Sequence, residues 1–568
     1  MAWEQRLFQL TSSRAGSDRR GWRGLAWTLS GVALVLFYLN GSLAFQNLWP
    51  TPWIRLVPEL AVEVLVLLAL LALLRSAGWR PGRRAKLSLA VLLLLAVVLR
   101  YTEVTAPPLF GRALNLYWDV RHLPDLIELF WRSMALPGVL MVLLGVPAMI
   151  ALSVWLNWRC LAFADRILEW SAARRVAVAL PILAGLVYAA SFVPGLGELR
   201  RAFSVPASVI AAKQIGLAVE AHRLRHASPE ELDALFGPRL AASEEPVGLD
   251  GENIFIVFLE SYGTTLFDTP DYATAIAPAF EAFAARLEAA GWHAASRRLI
   301  SPTFGGGSWF AHGTLLSGAR LSDQSLYNLF LTTGRETLVS RFEATGYRTV
   351  ALMPGTQRQW PEGAAFGFDR IYDAKALNYR GPDFGYWRIP DQFSLHRLRE
   401  AELTQIGQPL FAFVVLISSH MPFHPLPPYV EDWSLLGSGI AYDPEETAAL
   451  VAQEPDWSRL GVRYARAMAD NFALIGDYLE NAIPANSLVV LVGDHQPPGI
   501  VAGKNQPWTV PIHILSRAPA RLRPFLDQGY QAGLRPTAES TIFMEDFTRA
   551  FLAALGSNDR SSSRRPGE

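Results

Sequence analysis

The 568-residue sequence contains one cysteine, Cys160. No disulfide can therefore form within the chain, and any soluble domain must be held by its own core. A domain above roughly 300 residues can manage that. An oxidising compartment is permitted by this cysteine usage and not implied by it. Net charge is also missing: 51 Lys and Arg balance 51 Asp and Glu. Bulk electrostatics thus favour neither nucleic acid nor an acidic partner. There is no internal repeat, and the only low-complexity tract is the polar end SNDRSSSRRPGE, expected to be a disordered tail over 556–568. A cleavable signal peptide is not expected, because residues 1–25 are polar and basic and no mature-site pattern follows.

What is present is unevenly distributed. The first 200 residues are dense in Leu, Val and Ala, and most acidic residues lie after 218. That asymmetry indicates a membrane part followed by a soluble part, two or three units in all. Five apolar stretches, at 26–46, 56–74, 86–100, 134–157 and 176–196, predict five transmembrane helices within residues 1–197. The third, LSLAVLLLLAVVL, is short and continues past Arg100 into YTEV or thins the bilayer locally. Residues 1–25, 75–86 and 158–175 carry five, five and four basic residues, against one in 47–55 and three in 100–123. Fourteen against four places the N-terminus in the cytoplasm and, with five spans, everything after 198 outside. Glu59 and Glu63 share one helical face in the second stretch; they are candidate intramembrane groups, or lie near the outer interface and pair with Arg100.

Residues 198–250 read as a connector. RRAFSVPASVIAAKQIGLAVEAHRLRH predicts an amphipathic surface helix, and Ser228-Pro229-Glu230-Glu231 opens a short helix ending at Gly237. Over 251–555 short apolar runs alternate with helical patterns. Strands are expected at NIFIVFLE, GYRTVALM, PLFAFVVLIS and SLVVLVGD, and helices at 277–290 and 467–483. This predicts a three-layer αβα domain with a mostly parallel sheet.

Ligands of open α/β sheets bind beyond the carboxyl ends of strands. Three predicted strands end in Glu260-Ser261, Ser418-Ser419-His420 and Asp494-His495. Between them, SPTFGGGSWFAHGTLLSG sets three glycines before Ser308, which opens an apolar helix. A hydroxyl there lies in a field favourable to an anionic substrate, or serves only as an N-cap.

FLES (258–261), GGGSWFAHGTLLSG (305–318), FGFDRIYD (366–373), SHMPF (419–423) and GDHQ (493–496) together resemble the alkaline phosphatase and sulfatase superfamily. The branch most similar is that of membrane-embedded lipoteichoic acid synthases and phosphoglycerol transferases. The resemblance spans roughly 252–516 and implies Ser308 as nucleophile, Glu260, Ser308, Asp494 and His495 as ligands of one divalent cation, and His420 as a substrate contact or proton donor. The cation is commonly manganese in that branch; magnesium, zinc and calcium are alternatives. Metal coordination is one way to activate a serine hydroxyl, and it also neutralises charge developing on phosphoryl oxygens.

Two departures shape the substrate reading. Sulfatases that convert their nucleophile to formylglycine carry Pro two residues on and Arg four on; here Phe310 and His312 stand there. An unmodified Ser308 is expected, with His312 either touching substrate or facing the helix interior. In MPGTQRQWPEG (353–363), Trp360 fits a head-group tryptophan, Met353 replaces a histidine, Glu362 replaces a basic residue, and Arg358 is a candidate phosphate contact. An acidic Glu362 suits a cationic group such as ethanolamine. His513 is expected to be a core strand histidine, and Asp391 structural.

These readings imply a bacterial plasma-membrane enzyme. It would move phosphoglycerol or phosphoethanolamine from a membrane phospholipid to an extracytoplasmic glycan or lipid acceptor, with a hydrolase using water as the alternative. A non-catalytic scaffold is disfavoured by the joint presence of Glu260, Ser308, Asp494 and His495. A transporter would rest only on Glu59, Glu63 and Arg100, and no inverted repeat is visible.

Overall fold

The computed structural model describes residues 30–48, 51–110, 114–120, 123–124, 127, 136–193, 196–224, 226–240, 246, 249, 251–356, 360, 362–384, 389–404, 407–438, 441–453 and 459–562. The chain divides into two compact units, one covering most of residues 1–219 and the other most of 220–568.

The first unit contains α1 (Ser30–Gly41), α2 (Val62–Ser76), α3 (Arg83–Phe110), α4 (Leu136–Ile167) and α5 (Ser171–Ala190). Three stretches among the described residues are long and apolar enough to cross a membrane: Arg83–Pro107 of α3, Pro137–Ile167 of α4, and α5. The third anticipated stretch is thus a long helix that does continue past Arg100. The first and second form the shorter α1 and α2. Between them the chain turns back as a hairpin, β1 (Phe45–Asn47) against β2 (Ile54–Leu56), in antiparallel register Phe45↔Leu56. Pro52 and Pro58 cannot supply the amide that a continuing helix needs, which is why α2 starts only at Val62.

Small residues let these helices approach: Ala61, Ala72, Ala90, Ala164, Ala173 and Ala177 are buried with Leu39, Val64 and Leu161. Charge is paired where the chain leaves the apolar run. Asp165 takes Arg75 and Lys86, each at 2.6 Å, and Arg75 also reaches Glu169 at 2.6 Å. Arg100 lies 3.6 Å from Glu59 and donates to the Phe45 carbonyl at 3.2 Å. That is the pairing anticipated for Glu59, whereas Glu63 accepts from the Ser208 amide at 3.3 Å.

The connector forms α6 (Ala207–Leu224) and α7 (Pro229–Phe236). The capping box is present as read: the Ser228 amide donates to Glu231 at 2.9 Å, the Glu231 amide to Ser228 Oγ at 3.3 Å, and Gly237 ends the helix at φ 72°. Phe236 and Leu240 are buried in the second unit's core. This part of the connector is packed, not an open linker.

The second unit is built on β3 (Asn253–Leu259), β4 (His293–Ile300), β5 (Arg348–Met353), β6 (Arg370–Asp373), β7 (Leu410–Leu416), β8 (Ser487–Gly493), β9 (Thr509–Ser516), β10 (Gln531–Ala532) and β11 (Thr541–Phe543). Their order is β10-β4-β9-β8-β3-β7-β5-β6, with β11 paired to β4. The strands β8, β3, β7, β5 and β6 run parallel; β9 runs antiparallel to both β8 and β4, so the sheet is mixed. The connection from β8 to β9 holds one four-residue helix, Gly499–Ala502, and β9 returns in the opposite sense.

Strand β3 explains the layering. Ile254, Ile256 and Phe258 face one buried cluster, Phe255 and Leu259 the other. A strand buried on both faces has no polar side, hence the unbroken apolar run. Burying each such side chain contributes about 1.5–3 kcal/mol. On one face pack α8 (Pro270–Ala289) and α10 (Leu460–Asn481), where Phe283 stacks on Phe472 at 5.2 Å. On the other pack α9 (Ser308–Ser317) and α11 (Met544–Ser562), joined by a 2.6 Å bond from Thr548 Oγ1 to the Leu315 carbonyl. The segment expected as a disordered tail is helical as far as Ser562; 563–568 lie outside the described residues.

Candidate active site

Strand register brings the expected ligands together. Leu259 is level with Gly493 of β8 and with Leu416 of β7. The next residues of three neighbouring strands therefore emerge side by side at their carboxyl ends. Gly493 is required there: a Cβ on it would lie 1.9 Å from the Tyr262 carbonyl oxygen.

Ser308 arrives from a different direction. Gly305, Gly306 and Gly307 have φ of 65°, 142° and 77°, which only glycine adopts readily, and they turn the chain into α9. The loop is tied to the β8 end by the Gly305 amide on the Gln496 carbonyl (3.1 Å) and by Ser301 Oγ on the Asp494 carbonyl (2.6 Å). Gly307 is the helix cap and Ser308 the first helical residue, so the N-cap alternative does not apply. The Ser308 hydroxyl instead has Glu260 Oε2 at 3.0 Å and His495 Nε2 at 3.2 Å.

Glu260, Asp494 and His495 are all buried, and their candidate ligand atoms lie within 4.8 Å of one another. His495 Nδ1 sits 2.8 Å from the Gln496 carbonyl, which can only accept. Nδ1 thereby carries a proton, and Nε2 is the ring atom turned to the cluster and open to a cation. Burial first, and the charge of Glu260 second, push the Asp494 carboxyl well above the usual carboxylate range. Glu260 is held below its usual value: burial alone would raise it, but His495, His420 and a hydrogen bond from Ser261 outweigh that. Two buried carboxylates with one acceptor imidazole and a hydroxyl form a donor set that fits a divalent cation and repels itself without one.

His420, just past β7, lies within electrostatic reach of Glu260. Its Nδ1 sits 2.7 Å from the Met421 carbonyl, which can only accept, so Nδ1 carries a ring proton. Asp391 is buried and accepts from the Ile417 amide at 3.0 Å and the Ser418 amide at 2.8 Å, fixing the chain just before His420. Burial pushes its pKa up. His513 is a core residue, with Nε2 on Tyr262 OH (2.9 Å) and Nδ1 on Ser296 Oγ (2.7 Å). His424 is bonded to the Gln453 carbonyl at 2.9 Å.

The substrate contact considered for His312 is not supported. Its ring lies in the interior, 4.6 Å from Phe258 and 5.5 Å from Phe413, and burial drives its pKa down to about 3. Four residues after Ser308, it lies on the side of α9 that faces the sheet. Trp360 is half-buried and stacks on Phe366 at 6.0 Å. Arg358 lies outside the described residues. Sequence reading placed Ser261 and Ser419 at strand ends without a role and missed Tyr464 and Asn471; all four hydrogen-bond behind the cluster.

The stretch 314–512 matches the family described as Sulfatase. The superfamily anticipated from the motifs is thereby met, although the match itself starts after Glu260 and Ser308; the fold joins those two to it. No curated protein matches the chain. Solved structures similar to it include the lipoteichoic acid synthase LtaP from Listeria monocytogenes, at 15% identity and TM-score 0.35, covering 58% of this chain and 78% of that one. The Streptococcus pyogenes phosphoglycerol transferase GacH, in complex with sn-glycerol-1-phosphate, is 13% identical over 62% of this chain and 87% of its own, with a TM-score of 0.35. The integral membrane lipooligosaccharide phosphoethanolamine transferase A (EptA) from Neisseria meningitidis is 14% identical over 92% of this chain and 95% of its own, with a TM-score of 0.44.

Proposed function

We propose that this chain is a metal-dependent phosphotransferase of the bacterial plasma membrane. It moves phosphoglycerol or phosphoethanolamine from a phospholipid to an extracytoplasmic acceptor. The observation that carries this reading is the placement of the Ser308 hydroxyl between Glu260 and His495 in a buried acidic cluster. Glu260, Asp494, His495 and Ser308 Oγ would hold the cation, manganese in the first instance, which when bound lowers the hydroxyl pKa and offsets charge on the phosphoryl group.

The residues then divide the work. Ser308 Oγ gives its proton to Glu260 Oε2, 3.0 Å away, and attacks phosphorus. The P–O bond to diacylglycerol breaks, and protonated His420 gives the departing oxygen a proton. In the second half an acceptor alcohol gives its proton to His420 and attacks phosphorus, and the departing Ser308 oxygen takes its proton back from Glu260. Trp360 and Arg358 are retained as head-group contacts; His312 is not. The basic-residue bias supports a cytoplasmic N-terminus and an external catalytic unit. Protease added to spheroplasts should cut within 251–555 if that orientation is right.

Intact-protein mass spectrometry after incubation with membrane phospholipid tests the chemistry. A phosphoglycerol- or phosphoethanolamine-sized adduct on Ser308 is expected. An unmodified Ser308 in an enzyme that is turning over refutes the covalent course. Hydrolysis is the second reading, favoured by the family match; diacylglycerol release without any acceptor supports it, and labelled glycan or lipid product supports transfer.

A further inference from the structure

Four non-glycine residues among those described have positive φ, and two of them are asparagines, which tolerate it. Ser261, at φ 59°, directly follows the ligand Glu260. Backbone strain of this kind persists only where the surroundings over-determine it. The turn at Ser261 aims its two donors back at two different ligands. Its amide donates to Asp494 Oδ1 at 2.8 Å, and its hydroxyl donates to Glu260 Oε1 at 2.9 Å.

This divides the carboxylate oxygens between structure and site. Asp494 Oδ1 also accepts from the His495 amide at 2.6 Å, so that oxygen is filled twice by backbone. Asp494 Oδ2 lies 3.4 Å from His495 Nε2, as Glu260 Oε1 also does, and Glu260 Oε2 lies 3.0 Å from Ser308 Oγ. The turn is itself braced from one face of α10. Tyr464 OH donates to the Ser261 carbonyl at 3.0 Å, and Asn471, two helical turns on, donates to Ser419 Oγ at 2.9 Å. Ser419 Oγ in turn donates to the Glu260 carbonyl at 2.6 Å. All of these side chains are buried.

We propose that Ser261 is a positioning residue, which orients Glu260 and Asp494 so that one oxygen of each faces a shared divalent cation. This rests on the reading of that cluster as a metal site. Partners of this kind behind a ligand change metal affinity by about 10–100-fold when removed.

The test is calorimetric titration of Mn²⁺ into the chelator-stripped full-length protein in detergent, for the parent, Ser261→Ala, Ser261→Gly and Ser261→Thr. The alanine and glycine variants should bind Mn²⁺ about 10–100-fold more weakly. The threonine variant keeps the hydroxyl and should bind near the parent, with a lower melting temperature because a β-branched residue is strained at this φ. Glycine relieves the backbone, so its melting temperature in chelator should not fall, which separates lost orientation from lost folding. If the alanine variant does not fold, the glycine variant decides. A parent that binds no Mn²⁺ overturns the metal-site reading itself. A parent that binds, with alanine or glycine variants of equal affinity, overturns the role given to Ser261.

Discussion

Replacing Asp494 by Asn should make the metal-free protein more stable while removing its response to metal. Asp494 Oδ1 accepts from two backbone amides, at 2.8 and 2.6 Å, and the amide oxygen of Asn can keep both. What disappears is a negative charge facing Glu260 in a buried cluster whose ligand atoms lie within 4.8 Å. At that separation and an effective dielectric of about 20, two unit charges repel by roughly 3 kcal/mol, which is a ceiling because a shared proton relieves part of it. The sign follows from the raised Asp494 carboxyl. The folded state retains a proton that the unfolded chain gives up above about pH 3.9, so stability falls as pH rises past that point. The expected outcome is a chelator-treated Asp494→Asn protein that melts a few degrees above the parent at pH 7, at about 2–4 °C per kcal/mol. That advantage should vanish as pH approaches 4. Saturating Mn²⁺ should reverse the order, since a cation at a hundred times its Kd adds about 2.7 kcal/mol to the parent alone. Thermal melts across pH 4–8, with chelator and with Mn²⁺, provide the check. A substituted protein that melts below the parent in chelator at every pH refutes the repulsion argument.

Three further outcomes are expected. His312→Leu should flatten the acid limb of the stability profile. A buried histidine with its pKa lowered from 6.5 to about 3 supports folding above pH 6.5 and loses that support as pH falls toward 3. The relief at pH 3–4 has a ceiling of about 4 kcal/mol; equal urea midpoints for both proteins at pH 4 would contradict it. Gly493→Ala should cost about 3 kcal/mol or more, because the added Cβ meets the Tyr262 carbonyl oxygen at 1.9 Å, and Mn²⁺ binding should fall with it. Asp165→Ala leaves Arg75 and Lys86 without a shared anion and should lower the detergent melting temperature, by about 1–3 kcal/mol of stability; an unchanged melt would show the cluster to be dispensable.

The parts of the molecule that could be read from sequence share one physical property. The strands β3, β7 and β8 are apolar after the first residues Asn253 and Ser487 of β3 and β8, because both faces are covered, and each apolar run stops at a polar residue. Glu260 and Asp494 were visible for that reason, and Ser308 because three glycines precede it. Strand β4 was not visible: HAASRRLI carries Arg297 and Arg298. Arg298 is stabilised by a two-point pair with Asp268 at 2.8 Å, a contact no local pattern shows. The hairpin at 45–56 fell mostly on what read as the 47–55 connection between two spans. Ser261, Tyr464 and Asn471 were illegible because their effect depends on which strand end each one touches. His312 was ambiguous because spacing gives a helical face and not what lies opposite.

The level ends of β8, β3 and β7 have a consequence for how such a chain can change. Neighbouring strands lie about 4.8 Å apart, so the ladder alone fixes the spacing of the residues just beyond them. Of the connections that join those strands, Asp391 and two residues of α10, Tyr464 and Asn471, bond to the residues just beyond the strand ends. Between β7 and α10 the chain already accommodates the helical turns Trp433–Ser438 and Pro444–Val451. Lengthening or exchanging such a segment adds only slowly growing closure entropy. The segment 426–453 can therefore be exchanged while the residues at the strand ends stay in register, and such a graft would change what surrounds the centre without rebuilding it.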